Sequence, residues 1–313
     1  MTAVIDVQKL TRGFGELTAV DRVSFDVQAG EIFGFLGPNG AGKSTTLRML
    51  TGIIEPTSGA ATIRGHDIRT ESLAAREHLG IVPEEANVYL DLSVWRNVML
   101  MAELHDVPRR QRVENGRRLL DELGLYDRRK EKARSLSKGL RQRLMLCSAL
   151  VSEPEILFLD EPTSGLDVHS ARLMPTIVRQ MNEQSLTVFL TTHNMAEAEE
   201  MCHRVGIING GRIVAIDKPE ELRQVMKSHH SVVLCFETEG VDPEQLRSLP
   251  GVTDAKSEDA GFLRLYTEAP GHTATQIVRL ADTNGWNISE IATCKPNLED
   301  VFLQLTGEND TAK

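Results

Sequence analysis

Residues 37–45 combine residue types and spacing that suit the binding of a phosphate chain. They read Gly-Pro-Asn-Gly-Ala-Gly-Lys-Ser-Thr and fit the pattern G-x-x-x-x-G-K-[ST], in which glycine backbone N–H groups close around phosphate oxygens. In this pattern Lys43 reaches the β- and γ-phosphates of a nucleotide, and the hydroxyl of Ser44 holds Mg²⁺. The loop residues expected at the nucleotide are Gly37, Pro38, Asn39, Gly40, Ala41, Gly42, Lys43, Ser44 and Thr45.

The segments on either side of the loop are those that this chemistry needs. Residues 32–36 form an apolar run that predicts a buried strand, and residues 45–50 predict the first turns of a helix. The N-terminus of that helix adds a partial positive charge beside the phosphates. A glycine-rich turn that fits the pattern by chance is the alternative, and the order of strand, loop and helix argues against it.

A pair of adjacent acids supplies the second candidate. Asp160 and Glu161 follow the apolar run 156–159, which predicts a central parallel strand. An acid at that position helps to hold Mg²⁺, and a second carboxylate directly after it suits a general base that activates water. We expect nearby negative charge to raise the proton affinity of Glu161, while Mg²⁺ lowers it. A pair of acids that caps a helix is the alternative.

A serine and a glycine before a helix form the third candidate. Residues 135–143 read Ser-Leu-Ser-Lys-Gly-Leu-Arg-Gln-Arg, and the Ser137 hydroxyl with the Gly139 backbone makes a second anion site at a helix start. Because the chain already has its own phosphate loop, we interpret this site as serving a nucleotide bound to another subunit. An ordinary helix cap is the alternative.

A histidine at the end of an apolar strand is the fourth candidate. His193 follows Thr191 and Thr192, and an imidazole at that position can contact the γ-phosphate and the attacking water. A lone histidine after a strand is more often structural, but its place beside the other candidates favours function.

Composition excludes several classes of protein. The chain has 313 residues, of which 41% are hydrophobic and 26% charged, as in ordinary globular proteins. We find no apolar run near the roughly 20 residues that cross a bilayer and no signal-peptide pattern, so we expect any membrane role to come through a partner. A net charge of −10 argues against nonspecific nucleic-acid binding. Four widely spaced cysteines suit a reducing cytoplasm and give no metal signal.

The rhythm of strands and helices changes twice along the chain. Residues 4–30 alternate as short antiparallel strands, and residues 87–151 show helix periodicity. Residues 227–230 indicate a boundary, after which the order is β-α-β-β-α-β, typical of a small ferredoxin-like domain. A last helix at 298–305 should dock, since one face carries Leu298, Val301, Phe302 and Leu305.

These motifs, in this order, resemble an ATP-binding-cassette (ABC) transporter ATPase subunit over about residues 4–225. The phosphate loop, the signature at residues 136–140, the acid pair and His193 all match that family's motifs. The resemblance implies an α/β fold of the P-loop NTPase type, with a RecA-like core, an antiparallel β subdomain and a helical subdomain at about residues 87–151. From the resemblance, together with the boundary and the strand order described above, we expect a cassette at 1–227, an α+β ferredoxin-like accessory domain at 228–306 and a flexible tail at 307–313.

The resemblance also assigns further site residues. It implies that Phe14 stacks on the adenine of ATP, although a packing role is the alternative. Residues 164–167, Ser-Gly-Leu-Asp, match the D-loop, which adds Asp167 to the nucleotide site. Residues 296–302 resemble the ending of daunorubicin-resistance subunits, a drug-export branch.

Two motifs depart from the family pattern, at three positions. Glu84 stands where the family places the Q-loop glutamine, so it keeps an oxygen ligand for Mg²⁺ but adds a charge; we expect stronger metal binding and altered coupling. The signature, usually Leu-Ser-Gly-Gly-Gln, reads Leu-Ser-Lys-Gly-Leu. Ser137 and Gly139 match the family residues. We expect Lys138 to add positive potential toward the partner's nucleotide. Leu140 stands in place of the closing glutamine.

The resemblance predicts an ATP-hydrolysing subunit of a membrane exporter. It implies ATP and Mg²⁺, a head-to-tail homodimer or heterodimer, and a separate permease that docks on residues 84–104. The chain would then lie at the cytoplasmic face of the membrane and bind no nucleic acid. A non-transport ABC ATPase and a nucleotide-gated module with little turnover are the alternatives. The signature argues against a phosphate-loop kinase or GTPase.

Overall fold

The computed structural model describes residues 3–85, 87–224, 230–237, 241, 243–258, 261–294 and 296–306. The chain divides into two compact units, Met1–Pro219 and Glu220–Lys313. The expected boundary between residues 227 and 228 and the expected flexible tail at 307–313 lie outside the described residues, so both stay predictions.

The first unit alternates strands and helices. In chain order its elements include β1 (Ala3–Phe14), β2 (Leu17–Gln28), β3 (Ile32–Leu36), α1 (Lys43–Leu50), β4 (Ser58–Ile63), β5 (His66–Asp67), α2 (Ser72–Glu77), β6 (Leu79–Val82), α3 (Val94–Leu104), α4 (Arg109–Glu122), α5 (Lys138–Leu150), β7 (Ile156–Asp160), α6 (Val168–Glu183), β8 (Thr187–Thr192), α7 (Met195–Met201), β9 (Arg204–Asn209) and β10 (Arg212–Asp217). The helix α8 (Pro219–Gln224) crosses the division between the units.

Two sheets organise these elements. The larger sheet has the order β10-β9-β3-β8-β7-β6; its strands run parallel, except that β10 pairs antiparallel with β9. The smaller sheet is antiparallel, with the order β2-β1-β4-β5. The predicted α/β class and antiparallel subdomain are therefore confirmed. The strand β4 ends at Ile63, where Arg64 and Gly65 adopt positive φ in a turn.

Aromatic rings form the centre of the core between the two sheets. Phe25 of β2 lies with its ring centroid 5.4 Å from that of Phe33 and 5.9 Å from that of Phe189. Phe35 and Phe158 also lie within 6 Å of Phe189, at 5.8 and 5.3 Å. All five rings are buried, and offset ring pairs of this kind add to the free energy gained by burial. This cluster fixes the smaller sheet on the larger one.

Three helices, α3 to α5, follow the period that the sequence predicts. Four leucines of this region are buried: Leu119 and Leu120 in α4, and Leu123 and Leu125 just after its end. Serine side chains begin two of these helices: Ser93 accepts from the N–H of Arg96 at α3, and Ser137 caps α5. Hydroxyls at this position satisfy N–H groups that the helix leaves unpaired.

The second unit has the predicted β-α-β-β-α-β order. Its elements are β11 (Ser231–Phe236), α9 (Pro243–Arg247), β12 (Val252–Ser257), β13 (Phe262–Thr267), α10 (Pro270–Asn284), β14 (Ile288–Cys294) and α11 (Leu298–Thr306). The strands form an antiparallel sheet in the order β12-β13-β11-β14, which is the ferredoxin-like arrangement. On α11, Leu298, Val301 and Phe302 are buried as predicted, but Leu305 is exposed near the helix end.

Within the described residues, no helix combines the length and the apolar composition that crossing a bilayer requires.

Replacement of Phe189 by alanine should destabilise the first unit by about 3–5 kcal/mol, because it removes a buried ring from the cluster and leaves a cavity. The measurement is denaturant unfolding of a Trp286→Phe background, in which Trp95 remains as the single tryptophan of the two and reports on the first unit. Phe14→Ala is the matched control, since that ring is 47% exposed. Equal losses in the two variants would contradict the role of the cluster.

Candidate active site

Four parallel strands bring the candidate residues to one edge of the larger sheet. The strands β3, β8, β7 and β6 are neighbours in that order, so their carboxyl ends lie side by side. Gly37 follows β3, His193 follows β8, Glu161 follows β7, and Glu84 lies two residues after β6. Ligands of open α/β sheets bind at this edge. The strand order therefore assembles segments that are far apart in the sequence.

A cleft of about 210 Å³ lies at this edge. Its lining combines the loop with the strand ends and consists of Ala19, Asn39, Gly40, Gly42, Lys43, Ser44, Thr45, Glu84, Glu161, Ser164 and His193. Four predicted residues do not line the cleft itself but belong to the same loop or contact Ser44, namely Gly37, Pro38, Ala41 and Asp160. Among the residues that the structure describes, the lining also does not include the predicted residues of other segments, which are Phe14, Ser137, Lys138, Gly139 and Asp167. The predicted site residues thus form one group in the cleft and a second group outside it.

The backbone of the loop requires glycine at specific positions. Gly42 has a φ of 108°, and a Cβ there would lie 2.6 Å from the carbonyl oxygen of Ala19. A Cβ on Gly37 would approach the carbonyl oxygen of Ile208 at 2.2 Å. The helix α1 begins at Lys43, two residues earlier than predicted, and in the described structure no side chain caps it. Its first N–H groups are the donors that a phosphate accepts from.

Lys43 is buried at the floor of the cleft. Its Nζ donates to the carbonyl oxygens of Gly37 at 2.7 Å and Pro38 at 3.2 Å, and it pairs with Oε1 of Glu161 at 3.0 Å. A buried ammonium is tolerated because these acceptors replace water. The loop and the end of β7 are thereby joined through one cation.

Ser44 and Asp160 lie together, as the predicted magnesium pair requires. The Ser44 hydroxyl donates to Oδ1 of Asp160 at 3.1 Å. Asp160 is buried, and the Thr191 hydroxyl also donates to its Oδ1. Hydroxyl and carboxylate oxygens are the ligands that Mg²⁺ prefers in proteins.

Glu161 connects the loop to His193. Its Oε2 lies 2.7 Å from Nδ1 of His193 and accepts from the His193 backbone N–H at 3.3 Å. Because an ionised carboxylate only accepts, Nδ1 of the imidazole carries the proton in this bond. The backbone of Glu161 has a φ of 48°, which is uncommon outside glycine; its N–H donates to the carbonyl oxygen of Thr191 at 3.0 Å. The imidazole is 52% exposed whereas the Glu161 side chain is buried, so the pair joins a buried carboxylate to the protein surface.

The signature residues start α5 outside the cleft. Ser137 is the N-cap, and its hydroxyl accepts from the N–H of Leu140 at 3.3 Å. Gly139 is buried, and a Cβ there would lie 2.2 Å from Oγ of Ser170. The ordinary capping role considered from the sequence is therefore present, and contact with a nucleotide stays a prediction. Lys138 donates to the carbonyl oxygen of Ser164 in the same chain at 2.9 Å.

Asp167 caps the helix α6. Its carboxylate accepts from the backbone N–H of Ser170 at 2.9 Å and from the Ser170 hydroxyl at 2.8 Å. These bonds, the backbone bond first, hold the pKa of Asp167 below its ordinary value. These hydrogen bonds therefore favour the ionised form of Asp167 at the start of α6.

Phe14 and Glu84 occupy positions that the sequence left open. The Phe14 ring is 47% exposed, with the Arg12 guanidinium carbon 4.5 Å from its centroid. The packing alternative is therefore wrong, since a core ring would be buried. Glu84 lies in the cleft, but its Oε1 accepts from the Ser164 hydroxyl at 3.2 Å.

A larger cleft of about 370 Å³ lies elsewhere. It includes Glu155, directly before β7, and Thr187 at the start of β8, so it is at the opposite edge of the sheet. Charged side chains in it pair with one another: Arg64 lies 2.9 Å from Glu155, and Arg118 lies 3.4 Å from Glu153. This cleft lacks the phosphate-loop chemistry.

Comparison with known proteins agrees with this geometry. Residues 20–164 match the ABC transporter family model, and residues 218–306 match the C-terminal domain of DrrA1-3-like ATP-binding proteins. The chain is 33% identical over 309 residues to the linearmycin resistance ATP-binding protein LnrL of Bacillus subtilis, covering 97% of this chain and 98% of that protein. The chain belongs to the ABC transporter ATP-binding proteins.

Two further relatives of this ABC protein bear on its fold and family. It is 35% identical over 308 residues to the Nod factor export ATP-binding protein I of Rhizobium etli, covering 98% of this chain and 94% of that protein. A solved structure, cbiO1 of Clostridium perfringens, part of the ABC transporter complex cbiONQ, superposes with a TM-score of 0.66 at 26% identity. That superposition covers 72% of this chain and 95% of the other. The predicted family and fold are confirmed, and the chain is an ATPase.

One acid of this ABC ATPase differs from expectation. Glutamate side chains mostly lie in solvent, but Glu197 is only 5% exposed. Its Oε2 accepts from the hydroxyls of Thr192 at 2.7 Å and Thr163 at 3.1 Å, while Oε1 has no partner among the described residues. Burial raises the pKa of Glu197 above its ordinary value, and the Thr192 hydrogen bond opposes this.

Helix periodicity could have identified Glu197. It precedes the buried Met201 by four residues and adjoins the buried Ala198 in α7, so it belongs to the face that packs inward. Because glutamate is charged, its residue type suggests a position in solvent rather than on the buried face of α7. Glu197 binds Thr192, the residue directly before His193, and so supports the site without lining the cleft. The cleft residues that sequence reasoning missed are Ala19 and Ser164.

Glu197→Gln should stabilise the protein increasingly as the pH rises. The pKa is raised in the folded state from its ordinary 4.5, so folding favours the protonated acid. Stability in the wild type is therefore retained below pH 4.5 and lost as pH rises toward the folded-state pKa. Glutamine cannot ionise and escapes this loss.

The measurement is the free energy of unfolding of both proteins between about pH 4 and pH 8. Glu199→Gln is the control, because that acid is half-buried rather than buried. A difference between Glu197→Gln and the wild type that does not grow with pH would contradict the burial of an ionisable carboxyl.

Proposed function

We propose that this ABC ATPase is the motor subunit of a membrane exporter, in which two cassettes close head to tail around two ATP molecules. The proposed direction of transport is supported by relatives named for linearmycin resistance and Nod factor export. The observation that carries the dimer is the separation of the two site groups: Ser137 and Gly139 do not line the cleft that holds Lys43 within the described chain. A second chain would supply the missing signature.

Each ATP is bound by residues of both chains in this proposal. Phe14 stacks on the adenine, and Arg12 already lies against that ring, so the exposed face is the one available to a base. The residues proposed to hold ATP from one chain are Phe14, residues 37–45 and Asp160, and those from the other are Ser137, Gly139 and Asp167.

The oxygen pair of Ser44 and Asp160 fits Mg²⁺, because the two side chains are already in contact at 3.1 Å and both are hard oxygen ligands. When bound there, Mg²⁺ neutralises charge on the phosphates. The proposed third ligand, Glu84, stays a prediction, since its carboxylate accepts from Ser164.

The chain's own residues carry the proposed hydrolysis. Lys43 binds the terminal phosphates, and Glu161 orients the attacking water and accepts its proton. His193 holds one oxygen of that acid at 2.7 Å, so Glu161 presents its second oxygen in a fixed direction. Loss of the γ-phosphate removes the charge that joins the two chains, and the dimer reopens.

The region 84–104 is the proposed docking surface for the permease. Tyr89, Leu90 and Leu104 expose large apolar side chains there, and Met101 lines a cleft of about 260 Å³ with Tyr89. Met99 is buried and belongs to the core. Docking at this surface would place the chain at the cytoplasmic face of the membrane.

A non-transport ABC ATPase is the second candidate, but relatives named for linearmycin resistance and Nod factor export favour export over it. A nucleotide-gated module with little turnover is disfavoured because Glu161 and His193 form an assembled pair beside Lys43. Steady-state phosphate release, with and without the permease, separates the three.

Glu161→Gln should lower the rate of ATP hydrolysis about a hundredfold or more, because the amide cannot accept the proton of water. ATP binding remains, so this variant should accumulate as a dimer with ATP in size-exclusion chromatography. Turnover at the wild-type rate would refute Glu161 as the base.

Two inactive variants should restore activity when mixed. Lys43→Ala damages the loop and Ser137→Ala damages the signature, so a mixed dimer has one damaged site and one intact site. For a homodimer, the mixture should recover at most about a quarter of the wild-type rate of phosphate release, if subunits exchange at random.

The control mixes Lys43→Ala with the double variant Lys43→Ala/Ser137→Ala, which offers no intact site. Thermal unfolding establishes that each variant is folded. No recovery in the first mixture, with folded and exchanging chains, would rule out the composite site between two copies.

A further inference from the structure

Ser164, the first residue of the D-loop (residues 164–167), contacts three separate segments. Its N–H donates to the carbonyl oxygen of Glu161 at 3.0 Å. Its hydroxyl donates to Oε1 of Glu84 at 3.2 Å, and its carbonyl oxygen accepts from Nζ of Lys138 at 2.9 Å. One residue therefore joins the proposed base, the segment after β6 and the start of α5.

The two side chains that bind Ser164 belong to positions at which this sequence departs from the ABC pattern. Glu84 replaces the Q-loop glutamine, and Lys138 replaces a glycine of the signature. The two side chains carry opposite charges and both bind Ser164. Glu84 lies 80 positions before Ser164 in the sequence, and Lys138 lies 26 positions before it. A glycine at 138 has no side chain to reach Ser164.

Two features describe the surroundings of the Lys138 contact. Nζ of Lys138 lies in the space that a Cβ on Gly165 would occupy, and Gly165 has a φ of 62°, a conformation that favours glycine. Lys138 is also the first residue of α5, where the helix dipole disfavours a cation. The Ser164 carbonyl offsets that disadvantage.

We propose that Lys138 is a positioning residue that, together with Glu84, holds the D-loop of its own chain. Through Ser164 the start of α5 and the segment after β6 then move with the backbone of Glu161. Only the catalytic consequence of this inference rests on the proposed function. The contacts are solvent-exposed, so each contributes little, which suits a segment that opens and closes in every cycle.

Hydrogen–deuterium exchange of the full chain without nucleotide tests the contact directly. Lys138→Ala should speed exchange in residues 162–168 by about two- to fivefold, the effect of losing one exposed hydrogen bond. The N–H groups of Ser164 and Leu166 report on the contact through their exchange rates, because they donate to the carbonyl oxygens of Glu161 and Thr163. Lys138→Arg should keep the slow exchange, since arginine also donates.

Lys130→Ala is the matched control: it removes an exposed lysine and the same charge from a turn that precedes the signature. Equal exchange in Lys138→Ala and Lys130→Ala would overturn the inference. Ser164→Ala separates the Glu84 contact from the Lys138 contact. It removes the hydroxyl that donates to Glu84 but keeps the carbonyl oxygen that accepts from Lys138. Glu84→Ala and Ser164→Ala should therefore be non-additive in exchange rate.

Steady-state ATP hydrolysis provides a readout that a purely structural role would not move. Lys138→Ala should lower kcat about two- to fivefold with KM for ATP unchanged, because Lys43 and Ser44 remain intact. A raised KM with unchanged exchange would place Lys138 on the partner's nucleotide instead and overturn the inference. If the wild type fails to hydrolyse ATP while the exchange differences persist, the proposed function fails and the contact stands.

Discussion

The carboxylate of Glu161 is the contact on which the site depends. Its two oxygens are divided between the buried Lys43 and His193. A buried charge without a partner would cost several kcal/mol, so Lys43 and Glu161 each make the burial of the other tolerable. The two residues follow different strands, β3 and β7, which are separated by β8. The register of the parallel sheet is therefore a condition for the ion pair.

The same contact limits how Lys43 can bind a phosphate. An ammonium has three donors, and those of Lys43 have three acceptors: the carbonyl oxygens of Gly37 and Pro38 and the carboxylate of Glu161. A phosphate that binds Lys43 must displace or share one of them. Displacement of Glu161 would free Oε1 to accept from water, while Oε2 stays on His193. Substrate binding and activation of the base are thus linked through one cation.

Much of the fold and of the cleft could be predicted because it depends on local patterns. The phosphate loop, the acid pair and His193 each follow an apolar strand, and parallel strands end at one edge. The environment of Glu197 could not be predicted with equal ease, since its charge suggested solvent whereas its helix face is buried. The contacts of Ser164 with Glu84 and Lys138 were also inaccessible, because they join positions far apart through flexible side chains.

Neighbouring residues of the segment after Glu161 are held in contrasting ways. Thr163 donates to Glu197, a buried acid in the protein interior, whereas Ser164 is held by exposed, charged side chains. A buried hydrogen bond is costly to break because it leaves an unsatisfied group, and an exposed one is readily replaced by water. Motion in this segment should therefore begin at Ser164 and decrease toward Thr163. That gradient allows Ser164 to separate from Glu84 and Lys138 while Thr163 stays bound to Glu197.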